Sequence, residues 1–300
     1  MKLLRVGKVK EVFEVDEDEL EFRFTDNISV FDKVIPSQIP RKGETLARTS
    51  AFWFDRAPSL GIRHHLLKVL DGNRMRVRRV EVISDYAKLT PETKRYLIPL
   101  EWVARYYVAG SLLDRLRKGK EDPKDLGFAS SKVPDYGTRL PEPYLEVTTK
   151  LEETDRLLTR EEALDISGLT GEEFDEIWES VLKMDGTIQE EVGRRGLIHV
   201  DGKKEFAMDA DRAAMLVDTF GTADEDRFWD REEYEAGRLV ELSKEFVRQH
   251  YRDSGYHQAL YGARDRGEPE PDIPALPDPL VQQVSDLYVS LFERITGLEF

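Results

Sequence analysis

Twelve residues, Leu197–Met208, constrain this chain more than any others: Leu-Ile-His-Val-Asp-Gly-Lys-Lys-Glu-Phe-Ala-Met. Read as one strand, their two-residue period puts Asp201, Lys203 and Glu205 on one face and Ile198, Val200, Phe206 and Met208 on the other. Two carboxylates and an ammonium then share a row. The polar turn at Asp209–Arg212 returns the chain through Ala213–Phe220, and a hairpin partner carries Asp218 back beside that row. An oxygen-rich, cysteine-free cluster of this kind suits Mg²⁺, which takes one or two carboxylates plus substrate phosphates. A competing reading makes Asp201-Gly202 itself a type I′ turn, with the charges decorating a solvated hairpin.

The 300 residues allow one large or two moderate domains, and 40% hydrophobic with 10% aromatic content is that of a globular protein. No apolar run is long enough to span a bilayer, and the start, Met-Lys-Leu-Leu-Arg-Val-Gly-Lys, lacks a signal-peptide core. A cytoplasmic protein is expected. The absence of cysteine excludes disulfides, thiolate zinc sites and cysteine nucleophiles. A net charge of −15 argues against a nucleic-acid or membrane surface. Basic residues therefore matter where they cluster. The acidic surface permits a homo-oligomer without requiring one.

Residues 5 to about 85 read as a β-rich unit, with strands at Gly7–Val15 and Leu20–Thr25 around an acidic turn. Lys8 and Lys10 fall on one face, where they can meet nucleotide phosphates, and Gly7 permits close backbone approach. The alternative is a solvated edge strand protected by its lysines. Apolar spacing predicts a helix over Thr45–Leu60, and further strands flank the Asp71-Gly72-Asn73 turn with exposed arginines at 74, 76, 78 and 79. His64 and His65 have no third ligand nearby and read as structural. In Leu97–Ser111, Pro99 interrupts one element before another strand begins, as in a connector between lobes. Arg105 and Gly110-Ser111 would suit an anionic ligand, and equally a buried strand ending in a turn. Lys118–Tyr144 reads as a long irregular loop. Helix starts follow at Thr159 and Thr170, each with Glu three residues on. Phe174, Ile177, Trp178, Val181 and Leu182 form a core stripe. Glu232–Tyr251 reads as one helix, Gly267–Pro279 as a proline-rich crossing, and Pro279–Ile295 as a terminal helix.

Together these stretches resemble the SAICAR synthetase family, in order along the chain. Leu97–Ser111 looks like the family's Pro-aliphatic-Glu-x-aliphatic-aliphatic-Arg-x-x-x-Thr/Ala-Gly-Ser pattern. Asp201-x-Lys203-x-Glu205-Phe206 looks like Asp-x-Lys-aliphatic-Glu-Phe-Gly, and Asp218, Asp224 and Arg227-Phe228-Trp229 look like Asp-Glu-x-x-Thr-Pro-Asp-Ser-Ser-Arg-Phe-Trp. Lys204 departs from the pattern in place of an aliphatic residue and Ala207 in place of glycine. Thr219, Ala223 and Asp226 stand where the family has Glu, Pro and Ser.

The resemblance implies an α+β, two-lobed fold with a kinase-like or ATP-grasp-like nucleotide cleft, divided at 1–98 and 99–300. It implies an ATP-dependent ligase that joins L-aspartate to carboxyaminoimidazole ribonucleotide and yields SAICAR, ADP and phosphate. Another ATP-dependent phosphotransferase, or a nucleotide-binding regulator without catalysis, is the alternative. By resemblance, ATP meets Lys8 and Lys10, with Leu100 and Glu101 beside adenine. Glu205 and Asp218 hold Mg²⁺, and Lys203, Glu205, Asp218 and Arg227 are the catalytic set. Arg105, Ser111 and Arg227 take the ribonucleotide phosphate, while Lys150, Asp155, Asp201 and Lys203 line the substrate side. Thr219 bears on how many carboxylates contact metal, and Asp226 is expected to weaken or reorient the phosphate contact of its neighbour Arg227.

Overall fold

A computed structural model describes all 300 residues, Met1–Phe300. The chain opens with β1 (Lys2–Val6), β2 (Lys10–Glu14) and β3 (Glu19–Phe24). The single strand expected from Gly7 is cut short. The Gly7 N–H donates to the Lys10 carbonyl at 2.7 Å, closing a reverse turn that holds Lys8 outside the sheet. The hairpin of β4 (Asn27–Val30) and β5 (Lys33–Gln38) turns at Phe31 and Asp32, both at positive φ, as a two-residue primed turn requires. Helix α1 (Lys42–Arg56) buries Leu46, Ala47, Trp53 and Phe54.

Next come β6 (Arg63–His64), β7 (Leu66–Val69) and β8 (Arg74–Arg78). Of the arginines expected on the surface here, only Arg78 is exposed; Arg74 and Arg76 reach Glu21 at 3.5 Å, and Arg79 reaches Glu14 at 3.2 Å. His64 and His65 pack on Phe54, and burial pushes the His65 imidazole down to about 3, leaving it neutral.

After an irregular crossing come β9 (Leu97–Tyr107), α2 (Gly110–Arg117), β10 (Arg139–Thr149), β11 (Leu157–Leu158), α3 (Arg160–Ser167) and α4 (Gly171–Gly193). Both α3 and α4 begin with a reciprocal Thr–Glu capping box, as their sequences imply. Pro99 lies inside β9 and does not divide two elements. The register of β9 against its neighbour slips just there, so no donor is missed at the proline. The boundary expected at 98/99 therefore falls within a strand. The loop expected over Lys118–Tyr144 also gives way to β10 at Arg139. Leu182, assigned to the core stripe of α4, is exposed, and Met184, Ile188 and Val192 extend the stripe instead.

The chain closes with β12 (Leu197–Met208), β13 (Ala214–Val217), β14 (Arg227–Asp230), α5 (Arg231–Glu235), α6 (Glu245–Asp253), α7 (Tyr256–Arg266) and α8 (Asp278–Thr296). The single helix expected over Glu232–Tyr251 is split by Gly237, which sits at φ 77°.

Five strands form one sheet, β1-β2-β3-β8-β7; a second sheet runs β11-β10-β9-β12-β13-β6, with β14 on β12. β6 pairs in parallel with β13, so the N-terminal third contributes to the second sheet. One apolar cluster of 48 buried residues joins both sheets, with α1 packed on the first, α4 on the second and α8 against both helices. No helix is long and apolar enough to cross a membrane.

Candidate active site

The central strand of the second sheet, β12, is unbroken through Asp201-Gly202, which excludes a turn there. Asp201 pairs with Arg105 on β9 and with Arg227 on β14, and Glu205 pairs with Glu101. Antiparallel pairing thus places Asp201, Lys203 and Glu205 in one row with Arg105 and Glu101 opposite. Alternation fails at one point. The register shifts between His199 and Asp201, so Ile198 and Val200 pack with Trp229, away from the cluster that holds Phe206 and Met208.

At the Glu205 end, Lys203 donates to Glu101 at 2.8 Å and to Glu205 at 3.1 Å, and lies 3.2 Å from Glu225. Lys150 pairs with Glu205 and reaches Glu101 at 3.5 Å. Asp218, just past β13 at φ 61°, pairs with Lys10. Burial opposes ionisation of Asp218, but Lys10 and Lys150 outweigh it and hold the carboxyl well below the usual range. Glu205 behaves alike: burial is opposed by Lys150 and Lys203, and its carboxyl is lowered. Glu101 goes the other way, pushed up to about 7 by burial against the pull of Lys203. Two ionised oxygen ligands therefore face each other across a lysine-lined gap. That donor set suits a hard divalent cation.

Above this end lies a cleft of about 770 Å³. Gly7–Lys10 and the apolar Val12, Leu20 and Phe22 form its roof, Val80–Val82 and Leu97 its wall, and Lys150, Glu205 and Asp218 its inner end. Leu100 does not line it. It is sealed in the core, because the connector expected at Leu100–Glu101 is instead a central strand, and Glu101 belongs to the carboxylate row. Lys8 stands at the rim, paired with Asp32 at 2.6 Å. Asp155 is exposed near Lys203, Lys150 and Lys8, with its carboxyl raised first by desolvation.

At the Asp201 end a second cluster forms. Asp201 accepts from Arg105 at 3.1 Å and also from Arg227. Arg105 donates to Glu146 at 2.7 Å and to the Ser111 hydroxyl at 3.1 Å. Ser111 is the second residue of α2, whose first N–H groups have no side-chain cap. Gly110 sits at φ 53°, and a Cβ there would lie 2.5 Å from the Arg227 guanidinium, so only glycine admits this approach. Two guanidiniums, a hydroxyl and the uncapped start of α2 have the donor chemistry to hold a phosphate-sized anion, and Asp201 and Glu146 hold the guanidiniums in place.

The site thus gathers Lys10, Lys150, Lys203, Glu205 and Asp218 at one end and Arg105, Ser111, Asp201 and Arg227 at the other; Lys8 and Asp155 stand at the rim. Glu225 and Glu146 were not anticipated. Both are seen only once strands are paired, since neither lies in a periodic segment with its partner. Asp226, expected to disturb its neighbour Arg227, makes no contact with that guanidinium; its side chain bonds His199 at 2.7 Å.

A deep cleft ending in paired carboxylates among lysines, with a guanidinium cluster further along the same strand, has the chemistry of an enzyme that handles phosphates. The family profile for SAICAR synthetase matches residues 3–262. Phosphoribosylaminoimidazole-succinocarboxamide synthase of Thermoplasma acidophilum is 56% identical over 297 residues, 99% of each chain. Its Thermoplasma volcanium counterpart is 57% identical over the same length, again 99% of each. Among solved structures, a SAICAR synthetase (type 2) in complex with ADP superposes with a TM-score of 0.70 at 26% identity, covering 99% of this chain and 98% of that one. SAICAR synthase of Saccharomyces cerevisiae, complexed with SAICAR, shares the fold with a TM-score of 0.76 at 24% identity, covering 99% and 95%. The chain belongs to the SAICAR synthetase family, ATP-dependent ligases of purine biosynthesis.

Proposed function

We propose that this chain phosphorylates the carboxylate of carboxyaminoimidazole ribonucleotide with ATP and lets the amine of L-aspartate displace the phosphate. The observation that carries this reading is the single row on β12. Its four-residue span from Asp201 to Glu205 separates the phosphate pocket from the carboxylate pair by roughly 13 Å, on the scale of an extended ribonucleotide. A carboxylate is a poor acyl donor. Transfer of the γ-phosphoryl group makes a mixed anhydride; the amine nitrogen then bonds to the acyl carbon, and the carbon–oxygen bond to phosphate breaks.

In this reading Lys10 faces the ATP phosphates from the N-terminal sheet, and Val12, Leu20 and Val80–Val82 flank the base. Arg105, Ser111 and Arg227 hold the ribonucleotide phosphate, and Asp201 fixes both guanidiniums. Lys150 and Lys203 neutralise charge building on the reacting carboxylate, with Asp155 and Lys8 at the mouth where aspartate enters. Glu205 and Asp218 would hold Mg²⁺, which supplies charge neutralisation at the phosphates when bound. The cytoplasmic location expected from the sequence accords with three small anionic substrates, and one chain provides every residue named.

The test is ADP release from Mg²⁺-ATP and carboxyaminoimidazole ribonucleotide, with and without L-aspartate, with product followed by mass. SAICAR is expected only with aspartate. Folded, ATP-binding protein that makes no such product would overturn the reading.

Gly110→Ala gives a sharper local result. The substitution forces an alanine to φ 53° and pushes its Cβ into Arg227. The KM for ribonucleotide is expected to rise at least about 10-fold, with stability lowered by about 1–2 kcal/mol. Unchanged KM in steady-state kinetics would remove Arg227 from the phosphate pocket.

Glu101 makes stability depend on pH. With its folded carboxyl near pH 7 and an ordinary value when unfolded, the folded state binds the extra proton between about pH 4.5 and 7. Stability therefore falls as pH rises through that window, by up to about 1.4 kcal/mol per unit from this group alone. Glu101→Gln lacks this loss, so its stability relative to wild type is expected to increase between pH 5 and 7.5. Urea denaturation at both pH values measures it; a constant difference would contradict the assignment.

A further inference from the structure

On the face of β12 opposite the carboxylate row lies a buried polar group that the proposed chemistry does not use. Asp226 is 3% exposed and His199 2% exposed. One carboxylate oxygen of Asp226 meets His199 Nε2 at 2.7 Å, and the other accepts from the Gly221 N–H at 2.9 Å. The Asp226 N–H donates to the Thr222 carbonyl at 2.9 Å. One side chain thus closes the Gly221–Asp226 segment on itself and fastens it to β12. Space for it exists because residue 202 is glycine: a Cβ there would lie 2.2 Å from the Asp226 oxygen and 2.9 Å from His199 Nε2.

The cluster of Asp185, His199 and Asp226 has metal-ligand composition, with ligand atoms within 4.8 Å of one another. Its cation is already present, for the fully buried Lys204 ammonium pairs with Asp185, which also accepts from the Tyr106 hydroxyl at 2.8 Å. Two of the five departures from the family pattern, Lys204 and Asp226, are parts of this one arrangement.

The segment so fastened begins just after Asp218 and ends just before Arg227, which serve opposite ends of the site. We propose that Asp226 and His199 are positioning residues for the reaction. Their hydrogen bond holds the Gly221–Asp226 segment against β12 and so sets Asp218 beside Glu205 and Arg227 beside Asp201. The inference rests on the ligase reading for its catalytic consequence, but the fastening itself does not.

Four variants test it: Asp226→Ala and His199→Leu, which remove the bond, and Asp226→Asn and His199→Gln, which keep a donor and an acceptor in place. Hydrogen exchange on the free protein reads the fastening. Protection of the Gly221 amide is expected to fall at least about 10-fold in Asp226→Ala and to stay within about 3-fold of wild type in Asp226→Asn. In turnover, the removing variants are expected to raise the ribonucleotide KM and lower kcat, each about 10-fold or more. ADP binding measured without Mg²⁺ should change less than the ribonucleotide KM, as Val12, Leu20 and Phe22 of the roof lie on other strands. The conservative variants should recover most of the loss. Wild-type kinetics in Asp226→Ala, or equal losses in Asp226→Asn and Asp226→Ala, would overturn the proposal. Absence of product from wild type, with the exchange pattern as expected, would instead overturn the functional reading alone.

Discussion

Replacing Lys204 by methionine is expected to destabilise the fold by about 3–5 kcal/mol, the cost of leaving one member of a buried ion pair behind. Lys204 and Asp185 are both 0% exposed, and the only other partner of the Asp185 carboxylate is the Tyr106 hydroxyl. Methionine fits the stem of lysine, so the loss is one of charge compensation and not of volume. The ammonium also faces Asp226, and its removal leaves two carboxylates close together inside the protein. Coupling Lys204→Met with Asp185→Asn should return most of the stability, because an amide oxygen still accepts from Tyr106 while the stranded charge is gone. Urea denaturation of the two singles and the double variant gives the coupling energy. A single-variant deficit below about 1 kcal/mol would mean that the pair is not closed to water.

The same region shows what a one-dimensional pattern reveals and where it stops. A period of two was enough to gather Asp201, Lys203 and Glu205, and a polar turn of the right length was enough to return Asp218 to them. Thr159 and Thr170 announced their helices because capping boxes are local. Glu101 illustrates the limit. Its position opposite Glu205 depends on the register between β9 and β12, which are about 100 residues apart, and nothing in either segment encodes that register by itself. Pro99 pointed to a break because a proline usually ends pairing; the strand absorbs it with a register slip instead. The slip between His199 and Asp201 likewise turns Ile198 and Val200 away from the face that alternation gives them. Lys204 and Asp226 stood out only as departures. Their meaning lies in Asp185 and His199, which are apart in sequence and become partners only through the fold. The wall at Val80–Val82 has no periodicity, and the strong apolar run at Leu97–Leu100 drew the reading of the base site to Leu100, which is sealed in the core, although Leu97 does line the cleft.

Glu205→Gln and Asp218→Asn are each expected to lower kcat at least about 10³-fold, near 4 kcal/mol of transition-state stabilisation, while the fold remains intact. Both replacements are isosteric, and both keep an oxygen for the lysine that now donates to the carboxylate. Lys203 also retains Glu101 and Glu225. The loss falls instead on the cation that the pair would share, since an amide oxygen is a weaker ligand for a hard ion than a carboxylate. Two binding measurements separate this account from simple damage. Half-saturation by Mg²⁺ in the presence of ATP should rise about 10-fold or more in either variant. ADP binding without Mg²⁺ should be unchanged or tighter, because each variant removes one negative charge from a cleft that must accept phosphates beside Lys10 and Lys150. Weaker ADP binding without metal would point to local collapse of the site. Wild-type turnover and Mg²⁺ dependence in both variants would show that the metal is held elsewhere, and that Lys10, Lys150 and Lys203 then neutralise these carboxylates for structural reasons alone.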